Sequence, residues 1–133
     1  MNIPLILVAE DERDIRDLIV ITLQTHGLTN IIQASNGEEA VVRAKDQTPA
    51  LILMDVRMPK MTGYEACEAL KKDLNTKDIP VIFLSAKGQD AEIKRGIELG
   101  AEDYVLKPFA PDELYERVAN ILRRSGYEVS RPW

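Results

Sequence analysis

The apolar residues of this chain follow two periods that alternate along its length. Short runs without polar alternation occupy residues 5–9, 50–54 and 81–84, and weaker ones occupy 31–34 and 104–106. Such runs are typical of strands covered on both faces, as in a parallel sheet. A segment with helical spacing follows each run. The order predicts an α/β fold, a doubly wound sheet of five parallel strands with helices on both faces.

The helical segments carry start and stop signals as well as apolar stripes. Thr62 and Glu65 have the spacing of a capping box, and Pro111 stands at the start of the last helix. Gly27 and Gly100 stand where the first and fourth helices should end. We expect the helices to bury these positions: Ile15, Leu18, Ile19, Thr22 and Leu23, then Ala40, Val41 and Ala44, then Cys67, Leu70 and Leu74, and finally Leu114, Val118, Ile121 and Leu122.

The length of the chain, 133 residues, fits one domain with a substantial core. We assign residues 1–124 to this domain and residues 125–133 to a short C-terminal tail. The tail contains Gly126 and Pro132 and shows no amphipathic period. It leaves no room for an effector domain, so we expect the domain to stand alone.

Composition argues against several kinds of partner. The chain has 22 acidic and 17 basic residues and a net charge of −5, which disfavours electrostatic capture of nucleic acid or of an anionic membrane. It shows no signal peptide and no apolar run near the roughly 18 residues of a membrane helix. Cys67 is the single cysteine, so no internal disulfide can form. We expect a cytoplasmic protein without direct contact with nucleic acid or membrane.

Acidic residues mark the ends of two predicted strands. Glu10 and Asp11 follow the first run, and Asp55 follows the third. The carboxyl ends of parallel strands meet at one edge of a sheet, where ligands bind. Like charges so close repel, and the cluster therefore needs a cation, a shared proton or a chemical role that uses the repulsion. Lys107, after the fifth run, is a candidate counter-charge, and Ser85, after the fourth, adds a hydroxyl.

This combination of groups suits phosphoryl transfer to a carboxylate. An aspartate can act as a nucleophile and form an aspartyl phosphate, and Asp55 is the candidate. Magnesium prefers oxygen ligands of the kind that Glu10, Asp11 and Asp55 supply, and manganese is an acceptable substitute. Lys107 can pair with the phosphoryl oxygens, and the Ser85 hydroxyl can donate to one of them.

The same residues, in the same order, resemble the receiver domains of two-component response regulators over about residues 4–124. The matching motifs are Glu10-Asp11, the stretch from Asp55 through Met58-Pro59 to Gly63, Ser85-Ala86, and Tyr104 with Lys107-Pro108-Phe109. The resemblance implies a (βα)₅ flavodoxin-like fold with strand order 2-1-3-4-5. It also implies a cis bond between Lys107 and Pro108.

The resemblance further implies a role for each site residue. Asp55 would take a phosphoryl group from a phosphohistidine on a histidine kinase or phosphotransfer protein. Magnesium would be held by the side chains of Asp11 and Asp55 and the backbone carbonyl of Arg57, with Glu10 acting mostly through water. Lys107 would bridge to the phosphate.

By the same resemblance, Ser85 and Tyr104 form a switch pair. After phosphorylation Ser85 would move towards the phosphate, and Tyr104 would turn inward and change the face formed by residues 89–124. The output would be contact with a downstream protein. The domain would not be an enzyme beyond magnesium-dependent self-phosphorylation and autodephosphorylation.

The resemblance leaves the oligomeric state between a monomer and a weak phosphorylation-dependent dimer. Asp103 and Arg117 match charge pairs that cross the interface in dimers of the family, whereas Ile93 and Ala119 stand where charges would be expected. Two small departures from the family pattern and two variable positions accompany the match. Glu10 replaces the commoner Asp, Ser85 replaces the commoner Thr, and basic Arg57 and Lys87 stand at the positions thought to tune phosphate lifetime.

Three rival functions fit less well. A flavodoxin-like cofactor binder needs phosphate-cradling residues after the first strand, where this chain has Glu10, Asp11 and Glu12. Phosphatases with an aspartate nucleophile carry an Asp-x-Asp motif after the first strand. In this chain Asp55 follows the third strand, and Arg57 stands where the second aspartate of that motif would be. A pure docking module would predict a broken site, and every required residue is present.

His26, beside Gly27, is interpreted as a surface residue without an acid–base partner.

Overall fold

A computed structural model of the protein describes residues 3–86 and 90–129, leaving out the side chains of residues 90–92. Strands and helices alternate along these residues. The strands are β1 (Ile6–Ala9), β2 (Ile31–Ala34), β3 (Leu51–Asp55), β4 (Val81–Ala86) and β5 (Asp103–Lys107). The helices are α1 (Arg13–Thr25), α2 (Gly37–Gln47), α3 (Gly63–Lys71), α4 (Asp90–Glu98) and α5 (Pro111–Arg124).

All five strands are parallel, and their order is β2-β1-β3-β4-β5, which confirms the predicted topology. The register aligns the carboxyl ends of the four strands that carry the candidate chemistry. Ala9 pairs with Met54, the next residue Asp55 pairs with Leu84, and Ala86 pairs with Lys107. Side chains that are far apart in sequence therefore meet at one edge.

The core consists of two layers, one on each face of the sheet. Ile6 and Val8 of β1 belong to the layer that contains the buried side chains of α1 and α5. Leu7 and Ala9 belong to the layer that contains those of α2 and α3. Since both faces of β1 and β3 are covered, successive residues are all buried, and this explains the runs without polar alternation.

The predicted helix signals are largely confirmed. The Thr62 hydroxyl accepts a hydrogen bond from the Glu65 amide at 3.2 Å, and the Glu65 carboxylate accepts one from the Thr62 amide at 3.0 Å, so the capping box is complete. Gly27 has φ of +91° and follows the end of α1, where the Leu28 amide donates to the Leu23 carbonyl.

Two of the expected core positions are wrong. Leu18 is 47% exposed and Leu74 is 81% exposed. Helix α3 ends at Lys71 because a hydrogen-bonded turn replaces it, in which the Thr76 hydroxyl donates to the Leu70 carbonyl at 2.7 Å. Leu74 lies in this turn and no longer follows the helical stripe.

The start of the predicted tail packs on the domain. Tyr127 and Val129 are partly buried against the core layer of α1 and α5, and the Tyr127 amide donates to the Leu122 carbonyl at 3.0 Å. Residues 130–133 lie outside the described residues. The absence of an amphipathic period therefore did not reveal these contacts.

Candidate functional site

Three carboxylates converge at the carboxyl edge of the sheet, as the sequence predicted. One oxygen from each of Glu10, Asp11 and Asp55 lies within 4.8 Å of the others. Glu10 and Asp55 are buried, whereas Asp11 is exposed. Two buried carboxylates so close together are costly unless a cation or a proton offsets their charge.

Lys107 supplies part of that offset. Its Nζ lies 3.0 Å from Oδ1 of Asp55 and 3.3 Å from Oε1 of Glu10. It reaches both acids because β5 ends at Lys107, beside Ala86 of β4. One ammonium group thus bridges the carboxylate of Glu10, which follows β1, and that of Asp55, which ends β3.

The pKa values of all three groups depart from their ordinary values. Burial raises the pKa of Glu10 to about 7, with a further contribution from the negative charge of Asp55. Burial also raises the pKa of Asp55, against the opposing effect of its hydrogen bond with Lys107. For Lys107, burial works to lower the pKa, but the contacts with Asp55 and Glu10 outweigh it, so its pKa is raised.

Arg16, on α1, fixes the loop that carries Glu10, and sequence reasoning missed it. Its Nη1 donates to the Glu10 carbonyl at 2.8 Å, and its Nε donates to Oε1 of Gln33 at 3.2 Å. The Glu12 amide also donates to Oε2 of Glu10 at 3.1 Å. Nothing in the local sequence identifies Arg16, because its partner Gln33 belongs to the neighbouring strand.

Two glycines let the loop after β3 close over the sheet edge. Any side chain at Gly63 would overlap the carbonyl of Asp55, and any at Gly37 would overlap the carbonyl of Met61. The Gly63 amide donates to the Val56 carbonyl at 2.9 Å, and the Gly37 amide donates to the Met61 carbonyl at 3.1 Å. These close approaches set the position of the backbone beyond Asp55.

A cavity of about 140 Å³ lies directly against the acidic cluster. Asp11, Asp55, Arg57, Ser85 and Lys107 contribute to its lining. Ser85, within β4, is 1% exposed. The cavity therefore brings carboxylates, a cation and a hydroxyl around one small space.

Tyr104 lies inward, at 9% exposure, and packs against Phe83. Its expected movement after phosphorylation stays a prediction. A hydrogen bond joins its side chain to that of Tyr64. Burial, followed by the neighbouring Tyr64, raises the pKa of Tyr104.

The expectations about the Lys107–Pro108 bond and the dimer interface can also be compared with the structure. The bond between Lys107 and Pro108 is cis, as expected. Asp103 and Arg117 contact each other within the chain, at 2.8 Å between Oδ1 and Nη1. Ala119 is buried, so it belongs to the core. Residues 87 and 89, which enter the expectations about phosphate lifetime and the output face, lie outside the described residues.

The interpretation of His26 as a surface residue without a partner is wrong. Its ring stacks on Tyr115 with centroids 4.2 Å apart, and its Nδ1 lies 2.8 Å from the Thr22 carbonyl. Its Nε2 is 3.8 Å from Oδ1 of Asp112. These partners include residues of α5, which no local pattern around His26 could indicate.

A partly apolar groove of about 390 Å³ adjoins the site. Ile15 and Leu18 of α1 form one side, and Pro108 and Phe109 form the other. Lys107 also lines the groove, so the groove leads to the acidic cluster. The exposed side chain of Leu18 therefore forms part of the groove wall.

A comparison with known families matches residues 6–119 to the response regulator receiver domain. This chain belongs to that family. The match spans β1 to α5 and therefore includes each site residue that the sequence singled out. The receiver fold and the position of the acidic cluster agree with it. None of the helices in the described ranges is long and apolar enough to cross a membrane.

The chain is also similar to curated transcriptional regulators. It is 41% identical over 121 residues to the phosphate regulon transcriptional regulatory protein PhoB of Pseudomonas aeruginosa, and 42% identical over 127 residues to the alkaline phosphatase synthesis transcriptional regulatory protein PhoP of Bacillus subtilis. These matches cover 91% and 96% of this chain but 52% and 51% of those proteins. The chain thus spans about half the length of these curated relatives, and its stand-alone organisation stays a prediction.

Solved receiver structures superpose along most of the chain. The signal receiver domain of a signal transduction histidine kinase from Syntrophus aciditrophicus has a TM-score of 0.85 at 31% identity, covering 98% of both chains. The chemotaxis response regulator CheY4 of Vibrio cholerae has a TM-score of 0.84 at 28% identity, covering 90% of this receiver and 99% of that chain.

Proposed function

We propose that this receiver accepts a phosphoryl group on Asp55 from the phosphohistidine of a histidine kinase or phosphotransfer protein. The observation that carries the proposal is the position of Asp55. Its carboxylate lies 3.0 Å from Lys107, within an acidic cluster, and lines the small cavity at the sheet edge. An ordinary structural ion pair would not need two further carboxylates at the same point.

The transfer itself follows from the groups present. An oxygen of the ionised Asp55 carboxylate attacks the phosphorus, and the phosphorus–nitrogen bond of the donor breaks with its electron pair remaining on the imidazole. Lys107 keeps its positive charge and pairs with a phosphoryl oxygen as the carboxylate charge of Asp55 is shared with phosphorus. Ser85 donates its hydroxyl to another phosphoryl oxygen.

The residues present fit a magnesium ion. The donors are all oxygens, and the side chains of Asp11 and Asp55, the backbone carbonyl of Arg57 and a water held by Glu10 would form the site. Bound magnesium offsets the negative charge of the incoming phosphoryl group. Lys107 alone offsets only part of the charge of Asp55 and Glu10, and burial raises the pKa of each acid.

The groove beside the site suits the donor protein. A phosphohistidine can reach Asp55 only when the protein that carries it packs against the sheet edge. Ile15, Leu18 and Phe109 present apolar surface next to Lys107 and the acidic cluster. Exposed apolar residues that border a charged site are typical of protein-binding surfaces. We assign this groove to the donor.

Chemical labelling tests the assignment of Asp55. The protein is incubated with acetyl phosphate and magnesium, the acyl phosphate is trapped with borohydride, and the label is located by mass spectrometry. We expect one label, on Asp55, that is lost in Asp55→Asn and on addition of a chelator. Asp78→Asn, which changes an exposed acid away from the site, serves as the matched control and should keep the label. A label that persists in Asp55→Asn would refute the assignment.

A further inference from the structure

Arg16 of α1 holds both ends of the turn between β1 and α1. Its guanidinium donates to the Glu10 carbonyl through Nη1 at 2.8 Å, and its backbone amide donates to the Glu12 carbonyl at 2.9 Å. The Glu10 amide in turn donates to the Ala34 carbonyl of β2 at 3.0 Å. Both backbone groups of Glu10 therefore have partners, and these partners set the direction in which the chain passes to Asp11.

Gln33 of β2 orients the guanidinium of Arg16. Its Oε1 accepts from Nε of Arg16 at 3.2 Å, so the planar group is held at two of its nitrogens. Arginine suits such a position because its donors lie in one rigid plane, whereas lysine offers a single ammonium on a flexible stem. Gln33 pairs with Val8 in the parallel register, two residues before Glu10, and this brings β2 beside the turn.

The turn that Arg16 holds carries two of the three acids in the proposed magnesium site. Glu10 and Asp11 are consecutive, yet an oxygen of each lies within 4.8 Å of the other and of an oxygen of Asp55. In a continuing strand, consecutive side chains point to opposite faces of the sheet. The backbone must therefore turn between Glu10 and Asp11 for both carboxylates to meet Asp55.

We propose that Arg16 is a positioning residue for the metal site, which fixes the backbone between Glu10 and Asp11 so that both side chains face Asp55. This role rests on the proposed function, because it concerns the magnesium ion which that function requires. Arg16 acts on the ion only through the backbone, since a guanidinium donates hydrogen bonds and has no lone pair for a cation. Gln33 acts through Arg16.

The positive charge of Arg16 gives this role a sign that other roles do not share. A guanidinium repels a nearby magnesium ion, so a role through charge alone would make the loss of Arg16 strengthen magnesium binding. A role in stability alone would lower the free energy of unfolding and leave the affinity of the folded protein unchanged. Positioning predicts weaker binding, because misplaced ligands no longer converge on one point.

Amide chemical-shift titration with magnesium measures the affinity of each variant, and urea unfolding measures its stability separately. Arg16→Met keeps an unbranched side chain without donors, and we expect the dissociation constant for magnesium to rise between about tenfold and a hundredfold. Arg13→Met is the matched control, because it removes the same charge from the same helix at a side chain that is 84% exposed. It should leave the affinity within about twofold of the wild type.

Gln33→Leu tests the same contact at an exposed position, where substitution disturbs the fold less. It should raise the dissociation constant roughly two- to tenfold, the net worth of one hydrogen bond. Arg16→Lys should cause a similar loss, because lysine can donate to the Glu10 carbonyl but not to Gln33 as well. Addition of Gln33→Leu to Arg16→Lys should then cause no further loss.

Equal magnesium affinities in wild type, Arg16→Met and Gln33→Leu would overturn the proposal, and so would tighter binding in Arg16→Met. If Arg16→Met does not fold, Arg16→Lys and the Gln33 variant decide the question by the same criterion. Failure of the proposed function gives a different result: wild type would then take up no acetyl phosphate label at Asp55, whatever the affinities of the Arg16 variants.

Discussion

At the scale of the residue, the site is governed by the burial of negative charge. Glu10 and Asp55 are both nearly inaccessible to solvent, and Lys107 is the cation that the structure places within 3.3 Å of each. One positive charge cannot offset two carboxylates, and the raised pKa of each acid expresses the remaining cost. A bound divalent cation would remove that cost.

The raised pKa of Glu10 predicts a pH-dependent stability. Its value of about 7 in the folded protein lies above the ordinary value of 4.5. The neutral form is therefore favoured by folding, and this contribution is fully present below the ordinary value and is lost as the pH rises through about 7. In chelated protein, the free energy of unfolding should fall relative to that of Glu10→Gln by about 1–3 kcal/mol between a pH of about 5 and one of about 8.

Urea unfolding at a series of pH values measures this difference. Glu128→Gln, at an exposed position outside the site, is the control and should follow the wild type at every pH. A constant difference between wild type and Glu10→Gln across this range would contradict the assignment of the pKa shift.

Asp11 allows the metal site to be tested with little disturbance of the fold, because it is the exposed member of the acidic cluster. We expect magnesium to bind in the millimolar range or more tightly. Asp11→Ala should weaken magnesium binding by at least about tenfold, because loss of a residue that only supports a metal ligand already costs about that much affinity. Chemical-shift titration with magnesium measures the affinity. Asp14→Ala removes a nearby exposed acid, and equal affinities in the two variants would exclude Asp11 as a ligand.

How far the sequence predicts the site depends on the range of each contact. Glu10, Asp55 and Lys107 could be identified because each follows or ends an apolar run, and parallel strands bring such positions to one edge. Arg16 could not, because its contacts, with the Glu10 carbonyl and with Gln33 of β2, join different elements. No periodicity describes the distance between two side chains that approach from different elements.

At the scale of the element, the strands were easier to predict than the ends of the helices. Both faces of β1 and β3 are buried, so their apolar runs are unbroken. The end of α3 was misplaced because Leu74 continues the apolar spacing after Leu70, while the Thr76 side chain terminates the helix by binding the Leu70 carbonyl. A side-chain hydrogen bond of this kind competes with the helix without changing its apolar pattern.

The early end of α3 predicts very unequal losses of stability when two leucines four residues apart are replaced by alanine. Leu70 is 1% exposed and Leu74 is 81% exposed. Leu70→Ala should lower the free energy of unfolding by about 2–5 kcal/mol, the range for buried leucines. Leu74→Ala should change it by less than about 0.5 kcal/mol, as expected at an exposed position. Urea unfolding of both variants checks the pair, and a large loss in Leu74→Ala would mean that α3 continues beyond Lys71.

At the scale of the whole molecule, the receiver fold places the acidic cluster at the carboxyl edge of one parallel sheet. The alternation of five strands and five helices was sufficient to predict a doubly wound sheet. The sequence of strand ends then located the site, and the family resemblance supplied the strand order that the structure confirms. What the pattern could not supply was the inward position of Tyr104, because that position depends on packing against Phe83 and Gly96.

We propose that a phosphoryl group on Asp55 changes the face formed by α4, β5 and α5. A phosphoryl group on Asp55 carries about two negative charges at neutral pH, where the ionised carboxylate carried one. Ser85 and Tyr104 would transmit the effect of this charge to that face. The change would be a shift between two packings of one fold. Ser85→Ala should still accept the phosphoryl group at Asp55 but transmit less of the change.

Amide chemical shifts recorded with and without beryllofluoride, in the presence of magnesium, test the claim most directly. We expect changes across residues 90–124, well beyond the metal site, and no such changes in Asp55→Asn. If the changes in wild type stay confined to the loops around Glu10, Asp55 and Lys107, the connection from the acceptor to the output face does not exist.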